Sequence, residues 1–116
     1  MRILGIDPGY GITGFGIIEA QRGACRLLRC GAITTPPNTD FNWRLGEIYN
    51  NMTELMQLAQ ADAVAIEELF FGNNVTTGIK VAQARGVILL AVQQAEVPVY
   101  EYKPMQVKQA VVGYGN

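Results

Sequence analysis

The chain has 116 residues, of which 49% are hydrophobic and 16% charged, and its formal net charge at pH 7 is −1. A chain of this length fits one domain with one buried core, and its charge gives no global attraction to nucleic acid. The sequence contains no histidine and no serine, which excludes a Ser-His-Asp triad, an imidazole-activated cysteine and a histidine-containing zinc site.

The first third of the chain predicts three consecutive strands. Met1–Asp7 is apolar without a clearly polar face, as is typical of a strand covered on both sides. A turn at Pro8–Gly11 leads into a second strand over Ile12–Ala20. A hairpin loop at Gln21–Gly23 then leads into a third strand over Ala24–Thr34.

The rest of the chain alternates helices with strands. Asp40 is a plausible N-cap for an amphipathic helix, because apolar residues recur at three- and four-residue steps from Leu45 to Ala59. The predicted elements after it are a strand at Ala63–Glu67, a helix at Thr76–Gln94, a strand at Val97–Tyr102 and a helix from Pro104 to about Val112. This order predicts an α/β fold in which helices flank a mixed five-stranded sheet, within a single domain over 1–116.

The two cysteines predict free thiols. Cys25 and Cys30 are five apart in one predicted strand, so we expect their side chains on opposite faces, where they do not bridge. The longest apolar run, Val87–Val92, is far shorter than a membrane span, and no targeting sequence is recognisable. We therefore expect a soluble, cytoplasmic chain with no membrane partner.

Three glycines after the first strand match a dinucleotide-binding pattern by spacing alone. Gly9, Gly11 and Gly14 fit G-x-G-x-x-G, but that motif requires a helix to begin inside it. The segment Thr13–Ile18 is β-branched and aromatic and contains two glycines, which disfavours a helix. A tight turn between antiparallel strands explains the same residues better.

Two acids occupy equivalent places in the predicted sheet. Asp7 ends the first strand and Glu67 ends the fourth, so both side chains reach one cleft if the strands are neighbours. Like charges brought together there are tolerated mainly when a cation lies between them, and hard carboxylate oxygens favour magnesium or manganese. A two-metal phosphoryl-transfer site needs more ligands than these two. The adjacent Glu68 points to the other side of the strand.

Several stretches resemble RuvC-type crossover junction endodeoxyribonucleases, the Holliday junction resolvases. Each one alone is weak, since actin-like ATPases open similarly, but together they span nearly the whole chain in the family's order. They are Ile3–Gly9 with Thr13–Gly16, Ala65–Glu68 with Phe70 and Asn74, Gln83–Gly86, and Val107–Gly113.

The resemblance implies a ribonuclease H-like nuclease domain that forms a homodimer and resolves four-way DNA junctions by paired symmetric nicks. It also implies two Mg²⁺ ions per complete site, with Mn²⁺ able to substitute, and a branch-migration helicase complex as partner. Asp7 and Glu67 match the first two of the family's four carboxylates. The other two lie on a last helix beyond the equivalent of Gly113, and this chain stops at Asn116. We therefore expect a C-terminally truncated chain without its final helix and with little activity, and a noncatalytic dimeric fragment that binds branched DNA remains the alternative.

Candidate DNA contacts follow from the same resemblance and from local charge. Two segments after Glu67, namely 69–95 and 102–116, contain basic residues but no acid. An aromatic residue after Glu67 stacks on bases in the family, and Phe70 matches that position better than Phe71. The predicted DNA-binding residues are Phe70, Phe71, Asn74, Arg85, Lys103 and Lys108.

Small residues on the second predicted helix suggest a contact surface. Gly78, Ala82 and Gly86 lie four residues apart on the second predicted helix, which suggests a smooth stripe for a two-fold contact or for packing on the chain's own sheet. A weaker functional alternative is a nucleotide-binding relative of the actin-like ATPases, which would hold phosphate at the turn after Asp7. The chain lacks a second matching phosphate loop, which weakens the case for a nucleotide-binding protein.

Overall fold

A computed structural model describes residues 1–68 and 74–103 of the chain. The predicted helix from Pro104 to about Val112 lies outside these residues, and the predicted strand at Val97 begins two residues later. The elements are β1 (Arg2–Asp7), β2 (Ile12–Gln21), β3 (Ala24–Thr34), α1 (Phe41–Ala59), β4 (Ala63–Glu67), α2 (Val75–Gln94) and β5 (Val99–Tyr102).

The five strands form one mixed sheet in the order β3-β2-β1-β4-β5. The hairpin strands β1, β2 and β3 pair antiparallel, whereas β4 lies parallel to β1 and β5 lies parallel to β4. The helix-containing connections that precede β4 and β5 allow this parallel pairing. The predicted mixed five-stranded sheet is therefore confirmed, with β1 at its centre.

A bulge in the β2–β3 hairpin corrects the predicted positions of the cysteines. Cys25 pairs with Ala20 and Cys30 pairs with Gly16, and the register shifts at Ile17/Ile18, where Leu28 is the extra residue. Because of that residue the two cysteines lie on the same face of the sheet, not on opposite faces. Their partners on β2 are four residues apart, roughly 13 Å along a strand, and both thiols are free.

Helix α1 packs one face on the sheet and begins where the sequence predicts. The Asp40 carboxylate caps it by accepting a hydrogen bond from the Trp43 N–H at 3.0 Å. Ile48 and Met52 are fully buried in the core. The helix ends at Ala59, and the cap residue Gln60 has a left-handed backbone (φ 47°) and donates its N–H to the Met56 carbonyl at 3.4 Å.

Helix α2 lies beside α1 and completes the core. Ala84, Ile88 and Val92 are fully buried against the sheet and α1. By length and composition alone, α2 would also pass as a membrane span, which the short apolar run did not predict. The helix buries one face, which includes Ala84, Ile88 and Val92, and it carries the charged residues Lys80 and Arg85.

Candidate active site

Asp7 and Glu67 end adjacent parallel strands at the same edge of the sheet. Gly5 pairs with Ala65 and Ile6 pairs with Ile66, so the next residue on each strand is one of the two acids. Ile6 and Ile66 are buried against the helices, and alternation along a strand directs the acids to the opposite face. The sheet thus brings together the two carboxylates that the sequence singled out.

Small residues leave open space beside these carboxylates. Asp7 lies directly opposite Gly14 on β2, where an added Cβ would be 3.8 Å from the Asp7 Cβ. The next pair on this face is Gly5 with Gly16, and Ala65 lies two residues before Glu67. A bulky side chain at any of these positions would occupy the space next to the two carboxylates.

The turn after Asp7 is locked by a buried threonine. The Thr13 hydroxyl donates a hydrogen bond to the Gly9 carbonyl at 2.8 Å and accepts one from the Gly9 N–H at 3.3 Å. A Cβ on Gly9 would lie only 2.1 Å from the Ile12 carbonyl oxygen. Because β2, and no helix, begins at Ile12, the glycines serve a tight turn between strands, as the sequence indicated.

The end of β4 is anchored to α2 and β5. Arg85 donates from Nε to the Glu67 carbonyl at 3.4 Å and from Nη2 to the Glu101 carboxylate at 2.8 Å. Its side chain is only 14% exposed. The Glu68 N–H donates to the Tyr102 carbonyl at 2.6 Å. These contacts fix the backbone from which the Glu67 side chain extends.

The residues predicted to contact DNA differ in their exposure and in their hydrogen bonds. The Asn74 side chain is exposed and caps α2 by accepting from the Thr77 N–H at 3.1 Å, and the guanidinium of Arg85 is engaged as described above. Lys103 is exposed directly after Tyr102, the β5 partner of Glu67, and therefore lies at the same edge. A DNA contact by each of these residues stays a prediction. Phe70, Phe71 and Lys108 lie outside the described residues.

The donor set fits a hard divalent cation in kind but is small in number. Asp7 and Glu67 supply the carboxylate oxygens that Mg²⁺ and Mn²⁺ prefer. Across 1–68 and 74–103, no group of three or more His, Cys, Asp or Glu side chains is placed to hold a metal ion. Two carboxylates are an incomplete ligand set for a two-metal site.

An aromatic and basic cluster beside the turn was not predicted as a unit. The Tyr10 ring packs edge-on against Phe41, with centroids 6.0 Å apart. The Arg44 guanidinium carbon lies 5.3 Å, and the Lys80 Nζ 5.6 Å, from the centroid of the Tyr10 ring. The acid-free segment around Lys80 was the available signal in the sequence, but its meeting with Tyr10 depends on how α1 and α2 pack.

A family model and a similar sequence identify the family. The family model described as crossover junction endodeoxyribonuclease RuvC matches residues 3–116. The protein of that name from Chloroflexus aggregans is 53% identical over the whole chain, which spans 71% of that protein's length.

Two solved structures extend this likeness. The Thermus thermophilus RuvC in complex with a Holliday junction substrate superposes with a TM-score of 0.87 at 37% identity, covering 97% of this chain and 72% of that one. The yeast mitochondrial Holliday junction resolvase Ydc2, at 14% identity and a TM-score of 0.68, covers 89% of this chain and 53% of its own, and shows the shared fold alone. Together with the sheet order, the RuvC likeness confirms the ribonuclease H-like fold class.

Proposed function

The chain belongs to the RuvC family of crossover junction endodeoxyribonucleases, and we propose that it resolves four-way DNA junctions by paired, symmetric, metal-dependent cuts at the Asp7–Glu67 edge. The observation that carries this proposal is the side-by-side placement of these two acids on adjacent parallel strands. A catalytic pair of this kind needs a common edge, and an open face in front of it. The common edge is present, and the paired positions beside the acids carry Gly5, Gly14, Gly16 and Ala65.

We propose that Asp7 and Glu67 hold Mg²⁺, with Mn²⁺ able to substitute, in a site that takes two ions when its ligand set is complete. Ions held by these carboxylates would supply Lewis-acid activation of a water and charge stabilisation of the leaving oxygen in phosphodiester hydrolysis. The protein aligns the two carboxylates by pairing β1 with β4, and it places small residues beside them. Thr13 and Arg85 do so indirectly, by fixing the backbone after Asp7 and at Glu67.

Further residues are proposed to hold the DNA at this edge. Lys103 and Asn74 support the proposal by their exposure beside β5 and at the start of α2. Lys108 and Phe70 rest on the family resemblance alone, as does the weaker candidate Phe71. Phosphate contacts of this kind set register and affinity and carry little sequence information.

A homodimer through α2 is proposed to place two sites on one junction. Ile79 and Leu90, on the outer side of α2, are each 51% exposed. A Cβ on Gly86, between them, would meet nothing within 4 Å, so no packing within the described residues explains a glycine there. Gly78 is buried, so it does not belong to the exposed part of the predicted stripe. Two-fold symmetry suits a substrate that is cut on two opposed strands.

The alternative is a noncatalytic protein that binds branched DNA, and it differs from the nuclease in having only two of the carboxylates that the metal site needs. In that alternative, Asp7 and Glu67 alone bind metal weakly, and the protein binds branched DNA without cutting it. The family match favours the nuclease for the full-length protein. We propose that the protein works in the cytoplasm, in keeping with its two free thiols. A branch-migration helicase complex is proposed as its partner, and this rests on the family resemblance alone.

The test compares a synthetic four-way junction with linear duplexes of the same sequences. The full-length protein is expected to nick the junction at symmetric positions with Mg²⁺ or Mn²⁺, and to leave the duplexes intact. Removal of the metal with a chelator should stop cleavage but preserve binding. Equal cleavage of junction and duplex, or cleavage that persists in chelator, would contradict the proposal.

A further inference from the structure

A cluster of two cations and two aromatic rings lies just beyond the acidic edge. We call it the Tyr10 cluster, and it comprises Tyr10, Phe41, Arg44 and Lys80. Tyr10 lies three residues after Asp7, Arg44 lies near the start of α1, and Lys80 lies in the second turn of α2. The cluster therefore occupies the same end of the molecule as the carboxylates, on the side of the sheet that the helices cover.

The two cations in this cluster share one ring and no acid. Arg44 and Lys80 each lie within 6 Å of the Tyr10 centroid, and Lys80 Nζ is also 5.8 Å from the centroid of Phe41. In the described part of the chain, neither makes a salt bridge to a carboxylate. Two like charges around one ring repel each other, and cation–π attraction at exposed sites is weak. A bound anion would remove the repulsion.

The two cations are held differently. Arg44 is partly buried and donates from Nε to the Thr35 hydroxyl at 3.0 Å and from Nη2 to the Tyr10 carbonyl at 3.4 Å. The Thr35 hydroxyl donates to the same Tyr10 carbonyl at 2.8 Å. Arg44 is thus a positioning residue for the turn, whereas Lys80 is exposed and its Nζ lies over the rings of Tyr10 and Phe41.

From this arrangement we infer that Lys80, steadied by the rings of Tyr10 and Phe41, contacts a backbone phosphate of a junction arm that passes over the helix side of the acidic edge. The inference rests on the proposed function and adds a contact outside the carboxylate cleft. A lysine ammonium binds phosphate as a point charge, so the contact adds affinity without sequence preference. The ring faces restrict the position of the Lys80 ammonium before DNA binds, so the side chain loses less conformational entropy on binding.

The experiment measures junction binding as a function of salt. Fluorescence anisotropy with a labelled four-way junction, in chelator to prevent cleavage, gives the slope of log K against log salt between about 50 and 200 mM. Lys80→Gln in the full-length protein should reduce the magnitude of the slope by about 0.9, the value for one phosphate contact on duplex DNA. Lys80→Arg should keep the slope.

The matched control is Arg22→Gln, which removes one exposed positive charge at the β2–β3 hairpin, at the opposite end of the sheet from Asp7. It should retain the wild-type slope. An unchanged slope in Lys80→Gln, or an equal loss in Arg22→Gln, would overturn the phosphate contact while leaving the nuclease proposal intact. Failure of the wild-type protein to bind the junction would overturn both.

A second arm separates DNA phosphate from a free nucleotide. Isothermal titration of the wild-type protein with ATP and Mg²⁺ is expected to show no binding that depends on Lys80. Saturable ATP binding that is lost in Lys80→Gln would make the cluster a nucleotide site and would overturn the inference. Melting temperatures of all variants should agree within a few degrees, because an exposed lysine contributes little to stability.

Discussion

Thr13 and Gly9 exchange two hydrogen bonds, one from the hydroxyl to the carbonyl at 2.8 Å and one from the N–H to the hydroxyl at 3.3 Å. Thr13 is only 1% exposed, so Thr13→Val would keep the shape and leave both Gly9 groups without this partner. We expect the free energy of unfolding to fall by about 1 to 3 kcal/mol in urea titrations. Thr53→Val, which removes a hydroxyl bonded to the Tyr49 carbonyl within α1, should cost less than about 0.5 kcal/mol.

The two glycines Gly9 and Gly46 should respond to alanine in opposite directions. A Cβ on Gly9 would collide with the Ile12 carbonyl oxygen, whereas a Cβ on Gly46 in α1 would meet nothing within 4 Å. Gly9→Ala is expected to destabilise the fold by about 2 kcal/mol or more and to slow cleavage by displacing the turn after Asp7. Gly46→Ala should stabilise it by about 1 kcal/mol. Thermal unfolding measures both, and stabilisation by Gly9→Ala would refute the clash.

Asp7→Asn tests the acidic edge directly. The amide is nearly the same size but carries no charge for a cation, so junction cleavage with Mg²⁺ should fall at least about a hundredfold. Junction binding in chelator should persist, because the proposed phosphate contacts are untouched. The control is Asp62→Asn, at the other end of β4, whose carboxylate accepts from the Arg2 N–H at 2.8 Å. Cleavage that survives Asp7→Asn, or that falls equally in Asp62→Asn, would remove Asp7 from the site.

The Arg85–Glu101 pair should contribute to stability independently of DNA. Arg85→Ala removes the bonds to the Glu67 carbonyl and to Glu101 and is expected to lower the free energy of unfolding by about 1 to 2 kcal/mol. Glu101→Gln should cost less than about 1 kcal/mol, since its side chain is half exposed. A double-mutant cycle measured by urea unfolding should give a coupling energy of about 0.5 kcal/mol or more. No coupling would mean that the pair does not hold β5 to α2.

Much of the fold could be predicted because its signals are local. The cap at Asp40, the period of α1 and the apolar run of β4 each lie within a short stretch, and the structure confirms all three. The convergence of Asp7 with Glu67 was also predictable, because parallel strands end at a common edge.

Features that depend on pairing or packing could not be read in this way. The bulge at Leu28 is visible only once β2 and β3 are in register, so the sequence placed Cys30 on the wrong face. Arg85 is a lone cation in the sequence, and its ion pair with Glu101 arises only when β5 lies beside β4. The Tyr10 cluster joins a turn with two helices, and no periodicity encodes that meeting.

Gly86 offers a test of the α2 dimer that does not depend on cleavage. It is exposed between Ile79 and Leu90, and glycine in a helix interior costs about 1 kcal/mol relative to alanine. A glycine at such a place is explained if another chain approaches closely. Gly86→Glu should therefore weaken the dimer by at least about tenfold in sedimentation experiments, because it inserts bulk and like charge on the two-fold contact. The monomer should remain folded by circular dichroism.

The matched control for this prediction is Gly46→Glu, which places the same side chain at an exposed position in the second turn of α1. It should leave the dimer dissociation constant unchanged, because α1 has no part in the proposed contact. An unchanged dimer in Gly86→Glu would exclude the outer side of α2 as the interface, and equal weakening by Gly46→Glu would attribute the effect to net charge. If Gly86→Glu alone weakens the dimer, it should also convert paired nicks into single ones, since each site would then act on its own strand.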